Sequence, residues 1–125
     1  MHNPPSTGTE TFAAITSEIL AFRDARDWRQ FHTPRQLAAA IAIEAGELQE
    51  AMLWRSDDGV RERLANGSLR EKVSEELADV LIFTLLLAHE IGVDPVATIK
   101  AKLTKNALRY PVEQSKGSAT KYTDR

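Results

Sequence analysis

Apolar residues recur along this chain at intervals of three and four, the spacing that places side chains on one face of a helix. The first such segment covers about residues 10–26, and Thr9 is its predicted N-cap. Its apolar stripe consists of Phe12, Ile15, Ile19 and Phe22. A second helix is predicted from Pro34, after the capping residue Thr33, to about Arg55.

The second half of the chain continues this helical pattern. A polar, turn-rich stretch follows Arg55 and has room for one short helix. Ser68 and Glu71 then have the spacing of a capping box, which predicts the start of a long helix that ends near Gly92. Asp94 and Pro95 start a fourth main helix, to about residue 109. Because no segment alternates apolar and polar residues, the predicted fold is all-α, a bundle of four main helices.

The long helix carries apolar residues on nearly all of its faces. Leu77, Val80, Leu81, Leu85 and Ala88 lie on one face, and Ile82, Phe83 and Leu86 lie elsewhere. A helix of this kind is buried on most sides. Because a chain of 125 residues can hardly cover it alone, we expect a homo-oligomer with this helix at the interface, a tetramer rather than a dimer. A central core helix in a monomer is the alternative.

Composition places the chain among single-domain globular proteins. Hydrophobic residues make up 42% and charged residues 27%. The absence of cysteine excludes disulfides, zinc–thiolate sites and thiol catalysis. The most apolar segment, "LADVLIFTLLLA", is twelve residues long and contains Asp79, so it is too short and too charged to cross a membrane. The N-terminus lacks a signal-peptide pattern, and a cytoplasmic protein without a membrane partner is expected.

The charge is unevenly distributed. Residues 1–99 carry a net charge of −7 and residues 100–125 carry +5, although the whole chain carries only −2. The predicted organisation is a disordered segment over residues 1–9, a helical domain over 10–110 and a basic tail over 111–125. Because most of the chain is acidic and no basic reading helix is present, a nucleic-acid partner is not expected.

Three carboxylates are stacked on the second helix. Glu44, Glu47 and Glu50 follow one another at steps of three, and none of them has Lys or Arg three or four residues away. Like charges at this spacing destabilise a helix by about 0.2–0.5 kcal/mol per pair. A group outside the helix is therefore needed to balance them.

A second acidic set lies on the long helix. Asp79 has two glutamates, Glu75 and Glu76, at four and three residues before it and no basic neighbour at helical spacing. Glu76 has a local cation, Lys72, four residues earlier. The residues inside the two motifs, Ala45 and Gly46 in "EAGE" and Leu77 and Ala78 in "ELAD", are mostly small, which would let antiparallel helices approach closely.

Facing carboxylate pairs are typical of a hard divalent cation. Mg²⁺, with Mn²⁺ as a possible substitute, prefers carboxylate oxygens, water and substrate phosphates. A di-iron site of the ferritin type is disfavoured, because it needs Glu-x-x-His and none of His2, His32 and His89 follows a Glu by three residues. Two solvated acidic faces, or salt bridges between helices, remain the alternative.

The full constellation resembles the MazG-like superfamily of all-α nucleotide pyrophosphohydrolases, in particular its dCTP pyrophosphatase branch. The signature of the family is E-x-x-E followed by E-x-x-D, and here 28 residues separate the two motifs. The likeness extends to "WRQFHTPRQLAAAIAIEAGELQEAMLW" and to "RYP" followed by "KYTDR".

The resemblance implies hydrolysis of a nucleoside triphosphate to the monophosphate and pyrophosphate, with attack at the α-phosphorus. It implies that Mg²⁺ is held by Glu44, Glu47, Glu76 and Asp79. We assign Glu47 or Glu50 as the catalytic base that takes the proton of water.

Further residues are expected to bind the substrate. Trp28 and Trp54 offer flat surfaces for a base, Phe83 closes the same pocket and His32 reaches the substrate from the start of the second helix. The last helix and the tail provide phosphate, base or ribose contacts through Lys102, Asn106, Arg109, Tyr110 and Lys121. The alternatives are burial of the tryptophans in the core, a structural hydrogen bond or a surface role for His32, and an exposed face for the last helix. The family commonly has Tyr where this chain has Phe83, so sugar discrimination is expected to differ.

The sequence thus predicts a Mg²⁺-dependent pyrophosphohydrolase that acts on dCTP or a modified pyrimidine nucleotide, in house-cleaning or nucleotide-pool control. A broader or purine-directed hydrolase of non-canonical nucleotides is the alternative within the same class. The alternative from another class is a helical oligomeric binding protein whose acidic pairs form salt bridges with a partner.

Overall fold

A computed structural model describes residues 11–124, and these residues form α-helices, two short 3-10 helices and no strand. The α-helices are α1 (Phe12–Ala25), α2 (Pro34–Met52), α3 (Asp57–Asn66), α4 (Ser68–Ile91), α5 (Pro95–Arg109) and α6 (Val112–Ser115). The 3-10 helices are Arg29–Phe31 and Tyr122–Asp124. The prediction of an all-α fold is confirmed. The segment 1–9, predicted to be disordered, lies outside the described residues.

Side-chain caps fix the starts of four helices. Thr33 Oγ1 accepts a hydrogen bond from the Gln36 amide at 3.3 Å, and Asp94 Oδ2 accepts one from the Ala97 amide at 2.9 Å. Ser56 caps α3 in the same way, and Thr11 caps α1. These bonds satisfy amides that have no partner inside the helix. The predicted cap of the first helix, Thr9, lies outside the described residues.

The start of α4 differs from the prediction. Its N-cap is Gly67, which has no side chain, and Ser68 is the first helical residue. The predicted capping box of Ser68 with Glu71 is therefore wrong, because Ser68 lies one position too far inside the helix for its hydroxyl to act as the cap. The end of α4 agrees with the prediction: Gly92 adopts the left-handed conformation, with φ of 71°, that glycine accommodates without strain.

Residues 11–92 form one compact unit. Within it α2 packs along α4, and α1 and α3 also contact α4. The core contains Leu37 of α2 with Leu85 and Leu86 of α4. Packing of α2 against α4 brings the two acidic motifs together.

One buried ion pair joins α1 to α4. Arg23 is almost completely buried, and its guanidinium donates hydrogen bonds at 2.9 Å to Asp24 and to Glu90 of α4. A buried cation without such partners would be costly. The pair therefore holds α1 on α4 beside the candidate site.

The exposure of α4 is uneven in the single chain. Leu77 is 47% exposed and Leu81 is 51% exposed, whereas Leu85 and Leu86 are buried. On α2, Ile43 is also largely exposed. An apolar surface on both helices thus remains open to solvent in one chain.

Residues 93–124 form a second unit, built from α5, α6 and the last 3-10 helix. The Tyr122 ring packs edge-on against Tyr110, with centroids 5.8 Å apart, and the Arg109 guanidinium lies 5.2 Å from the Tyr122 ring centroid. The basic tail predicted after residue 110 contains regular structure. Pro111 starts the short helix α6, and the aromatic contacts fix the 3-10 turn at residues 122–124.

Across residues 11–124, no single helix has both the length and the apolar composition needed to cross a membrane. Within the same residues, the bent pair of α4 and α5 taken together passes the test, on length and composition alone.

Candidate metal and nucleotide site

The packing of α2 against α4 brings three carboxylates into one cluster. Glu44, Glu47 and Glu76 each contribute one oxygen, and these oxygens lie within 4.8 Å of one another. Glu44 and Glu47 face the same way because they are three residues apart on α2. We call these three residues the carboxylate cluster.

Two oxygens of the cluster are buried without a hydrogen-bond partner in the described part of the chain. They are Oε2 of Glu44 and Oε2 of Glu76. The other oxygen of Glu76, Oε1, accepts a hydrogen bond from Lys72 Nζ at 2.7 Å. Glu76 is only 6% exposed, and buried carboxylate oxygens are normally paired or coordinate a metal. The two unpartnered oxygens make the carboxylate cluster a candidate cation site.

The electrostatics of the cluster agree with this interpretation. Burial, together with the negative charge of Glu47, raises the pKa of Glu44 to about 7. The hydrogen bond from Lys72 lowers the pKa of Glu76 and raises that of Lys72. Glu44 therefore lacks compensating positive charge, whereas Glu76 has it on one of its oxygens.

The donor set fits a hard divalent cation. Mg²⁺ takes oxygen ligands at about 2.0–2.1 Å, so ligands on opposite sides of the ion are about 4.2 Å apart. The oxygens of the carboxylate cluster all lie within 4.8 Å of one another, which is close enough for one such ion to contact all three. Mn²⁺ accepts the same carboxylate oxygens.

The other two predicted acidic residues, Asp79 and Glu50, are not members of the carboxylate cluster. Asp79 is half-buried and lines an adjacent cavity, and its charge contributes to the raised pKa of Glu44. Asp79 contributes none of the three clustered oxygens. Glu50 is exposed and lines a shallow depression with Trp54.

An apolar cavity of about 510 Å³ lies between α1, α4 and the loop before α2. Trp28, His32, Phe83 and Asp79 line it, so four predicted site residues share one cavity. The rings of His32 and Phe83 meet edge-on, with centroids 6.3 Å apart. An apolar cavity with a few polar groups is the usual form of a small-molecule site.

His32 is the polar group of this cavity that most needs a partner. Its Nδ1 is buried and has no hydrogen-bond partner within residues 11–124. Burial, with the charge of Arg23 second, lowers the pKa of His32, and Glu90 opposes this shift. The imidazole is therefore neutral at pH 7, with one nitrogen open to a ligand.

Trp54 occupies a different place from Trp28. It follows α2 with a φ of 65°, which is uncommon for a bulky residue, and it is 93% exposed. It does not line the apolar cavity. The structure thus brings Trp28 but not Trp54 to the predicted base pocket of the same chain.

Five predicted substrate contacts lie in the second unit. α5 carries Lys102, Asn106 and Arg109 at successive turns of one face, and Tyr110 follows the helix end. Lys121 directly precedes the last 3-10 helix. Their role in binding stays a prediction.

Sequence reasoning missed Arg23 as a component of the site. Arg23 lines the apolar cavity and is buried, although it lies in an otherwise exposed part of α1. Its signal in the sequence is weak, because its partner Glu90 is 67 residues away.

Comparison with known proteins identifies the family. The sequence profile of the MazG-like family matches residues 39–124, which include both acidic motifs. The chain belongs to the MazG-like family.

Individual relatives agree with the family. The chain is 44% identical over 103 residues to dCTP pyrophosphatase 1 of Rattus norvegicus and 38% identical over 103 residues to the Homo sapiens protein of the same name. Each alignment covers 82% of this chain and 61% of the relative, so the chain matches about three-fifths of the length of these curated relatives.

A solved structure resembles this fold. The crystal structure of a pyrophosphatase from Archaeoglobus fulgidus DSM 4304 superposes with a TM-score of 0.74 and 36% sequence identity. The match covers 89% of this chain and 98% of that chain. The resemblance to the MazG-like superfamily drawn from the acidic motifs is thus confirmed.

Proposed function

We propose that this protein is a Mg²⁺-dependent nucleoside triphosphate pyrophosphohydrolase that converts a (d)NTP and water to the (d)NMP and pyrophosphate. The observation that carries the proposal is the carboxylate cluster with its two unpartnered buried oxygens. Membership of the MazG-like family and similarity to proteins named dCTP pyrophosphatase 1 support it.

The proposed substrate is dCTP or a modified pyrimidine deoxynucleotide. The names of the relatives support a cytosine nucleotide. The apolar cavity has the aromatic walls and polar edge that a base needs, with His32 and Asp79 as hydrogen-bonding groups. Phe83, which replaces the tyrosine common in the family, offers no hydroxyl to the sugar or base.

Different side chains of this protein have different proposed roles at the reacting phosphate. Glu44, Glu47 and Glu76, with Asp79 at the edge, would hold the cation, and Lys72 keeps Glu76 in place. Glu47 is exposed and could take the proton of water, with Glu50 one turn further as the second candidate. Mg²⁺, when bound, would neutralise phosphate charge and make water more acidic; Mn²⁺ is the proposed substitute.

The proposed substrate contacts beyond the cavity come from the solvent-exposed Trp54 and from the second unit. Lys102, Arg109 and Lys121 would bind phosphate oxygens, and Asn106 and Tyr110 would bind the base or ribose. The net charge of +5 over residues 100–125 supports a role near phosphates.

We further propose a four-main-helix bundle that assembles as a homo-oligomer, a tetramer rather than a dimer, and works in nucleotide-pool control in the cytoplasm. The half-exposed Leu77 and Leu81 on α4 support a second copy at this surface. In the assembly α4 would then be buried on most sides.

The test is pyrophosphate release from a panel of natural and modified NTPs and dNTPs, with Mg²⁺ and then with EDTA. We expect release only with Mg²⁺, highest with dCTP or a modified pyrimidine, and a loss of at least a hundredfold in Glu47→Gln. The matched control is Glu75→Gln, because Glu75 is exposed and outside the carboxylate cluster. Release from purine nucleotides at equal rates would identify the broader hydrolase, and no release from any nucleotide would leave only the non-enzymatic binding protein.

A further inference from the structure

A second, basic cavity lies beside the carboxylate cluster. It has a volume of about 660 Å³ and is formed where the segment after α2, helix α3 and the first turns of α4 converge. Arg55, Arg63 and Lys72 line it, and they come from these three elements in turn. None of these residues belongs to the site residues that the acidic motifs or the family resemblance pointed to.

The charge of this cavity is positive. Arg55 and Arg63 form no ion pair within residues 11–124, and Glu62 is the one acidic residue among the lining side chains. Lys72 is already bonded to Glu76. Two guanidinium groups thus remain available to an anionic ligand, and planar guanidinium groups suit phosphate oxygens in a bidentate geometry.

The backbone adds to this positive potential. The N-terminus of α4, a helix of 24 residues, lines the cavity at Gly67, Ser68 and Leu69, and no side chain caps it. The N-terminal amides of a helix favour a negative charge at this position. Side chains cap the N-termini of α1, α2, α3 and α5. Because α4 has no such cap, there is room for a negative charge at its N-terminus.

The cavity is joined to the carboxylate cluster by one side chain. Lys72 lines the cavity and its Nζ lies 2.7 Å from Oε1 of Glu76, whose other oxygen is the unpartnered one in the cluster. A polyphosphate anchored at the cluster therefore has the basic cavity as its neighbour in the same unit. The apolar cavity with Trp28 and His32 shares no lining residue with it.

We propose that the basic cavity lined by Arg55, Arg63 and Lys72 binds the β- and γ-phosphates of the nucleotide and hence the pyrophosphate product. The inference rests on the proposed function, since it places the leaving group of that reaction. It assigns Arg55 and Arg63 as substrate-binding residues that hold the diphosphate end while the base occupies the apolar cavity.

Calorimetric titration of the folded protein with sodium pyrophosphate, in buffer with EDTA, tests the binding directly. We expect wild type to bind pyrophosphate and both Arg55→Gln and Arg63→Gln to bind it about tenfold more weakly or worse. Arg61→Gln is the matched control: it removes the same charge from the same helix, but Arg61 is outside the cavity and pairs with Asp58. Its affinity should stay within twofold of wild type.

Two results would overturn the inference. One is the absence of pyrophosphate binding by folded wild type, and the other is equal binding by wild type, Arg55→Gln and Arg63→Gln. Circular dichroism establishes that each variant is folded; because Arg55 and Arg63 are exposed, their replacement should leave the helical content unchanged.

Nucleotide hydrolysis by the same proteins separates this inference from the proposed function. If wild type hydrolyses dCTP and pyrophosphate binding is independent of both arginines, the function stands and the inference fails. If wild type hydrolyses no nucleotide but binds pyrophosphate in an arginine-dependent way, the basic cavity is a diphosphate site and the proposed function fails. If wild type hydrolyses dCTP and also binds pyrophosphate in an arginine-dependent way, Arg63→Gln should raise the KM for dCTP more than it lowers kcat.

Discussion

Glu44 is the residue in which the stability of the fold and the chemistry of the site conflict most directly. Its carboxyl group is partly buried, next to Glu47 and within reach of the charge of Asp79, and no cation on α2 compensates it. The sequence reveals this conflict, because no Lys or Arg lies three or four residues away. Such a group is retained at a cost to stability where a ligand uses it.

Replacement of Glu44 by Gln should stabilise the metal-free protein at pH 8. The folded-state pKa of about 7 is above the ordinary value of 4.5. The contribution of this group to stability is therefore fully present below pH 4.5 and is lost as the pH rises through 7. In EDTA, we expect the Tm of Glu44→Gln to exceed that of wild type at pH 8, with the excess vanishing near pH 4.5. A variant that is less stable than wild type at pH 8 would contradict the account of the cluster.

The same pKa sets the pH dependence of metal binding. Because Glu44 must lose its proton to bind a cation, the affinity for Mn²⁺ should rise with pH and level off above 7. The expected Kd at pH 6 is about tenfold weaker than at pH 8, measured by the electron paramagnetic resonance signal of free Mn²⁺. Affinity independent of pH between 6 and 8 would show that Glu44 is not a ligand.

Residue-scale prediction from sequence succeeds where the interaction is local. The pair of Lys72 with Glu76 follows from their spacing of four and is present at 2.7 Å. Which three carboxylate oxygens meet depends on the register of α2 against α4, and the pairing of Arg23 with Glu90 depends on how α1 packs. Periodicity within one helix does not encode either.

Among the helices, α2 determines the geometry of the carboxylate cluster, and its start follows from chemistry that the sequence displays. Thr33 and Pro34 are a cap and a first helical residue, as the sequence predicts. The sequence predicts that the small residues within the two acidic motifs, Gly46 among them, let α2 and α4 approach closely. A Cβ added at Gly46 would meet no atom within 4 Å, so the packing of α2 against α4 does not require a glycine at this position.

Gly46→Ala should therefore stabilise the protein by about 0.5–1 kcal/mol, because alanine is the better helix former and has room. Urea unfolding measures the change. Gly92→Ala should instead lower the free energy of unfolding, because Gly92 has a φ of 71° that strains any residue with a Cβ. Loss of stability in Gly46→Ala would mean that another chain or a ligand occupies the space beside it.

Helix ends without a side-chain signal were the harder elements to predict. The start of α4 lacks a capping hydrogen bond, and the capping-box pattern one residue later points to the wrong position. The short helix α6 has only four residues and follows a proline, so its periodicity is below the length at which a pattern is informative. The predicted boundaries are accurate where a cap or a left-handed glycine marks them.

For the whole molecule, the exposed apolar side chains of α4 and α2 predict self-association. Static light scattering during gel filtration should give a mass about four times the 13.9 kDa of one chain. Leu81→Glu should lower that mass, because a carboxylate at a half-exposed apolar position has no partner in an interface. A single-chain mass for wild type at micromolar concentration would contradict the proposed oligomer.

For the whole molecule, the sequence predicted the class of fold and the family. Which binding residues meet in space depends on long-range packing. The basic cavity shows why: Arg55, Arg63 and Lys72 are spread over three elements and share no motif. The proposed contacts of α5 and the tail with the nucleotide require the same kind of information. Local spacing identifies such groups as candidates but does not bring them together.

The most direct test of the central claim is a ³¹P NMR spectrum of dCTP incubated with the protein and Mg²⁺. The account predicts that the three triphosphate signals are replaced by those of dCMP and pyrophosphate, in equal amounts, and that Glu76→Gln leaves the dCTP spectrum unchanged. Formation of dCDP with inorganic phosphate, or an unchanged spectrum with folded wild-type protein, would contradict it.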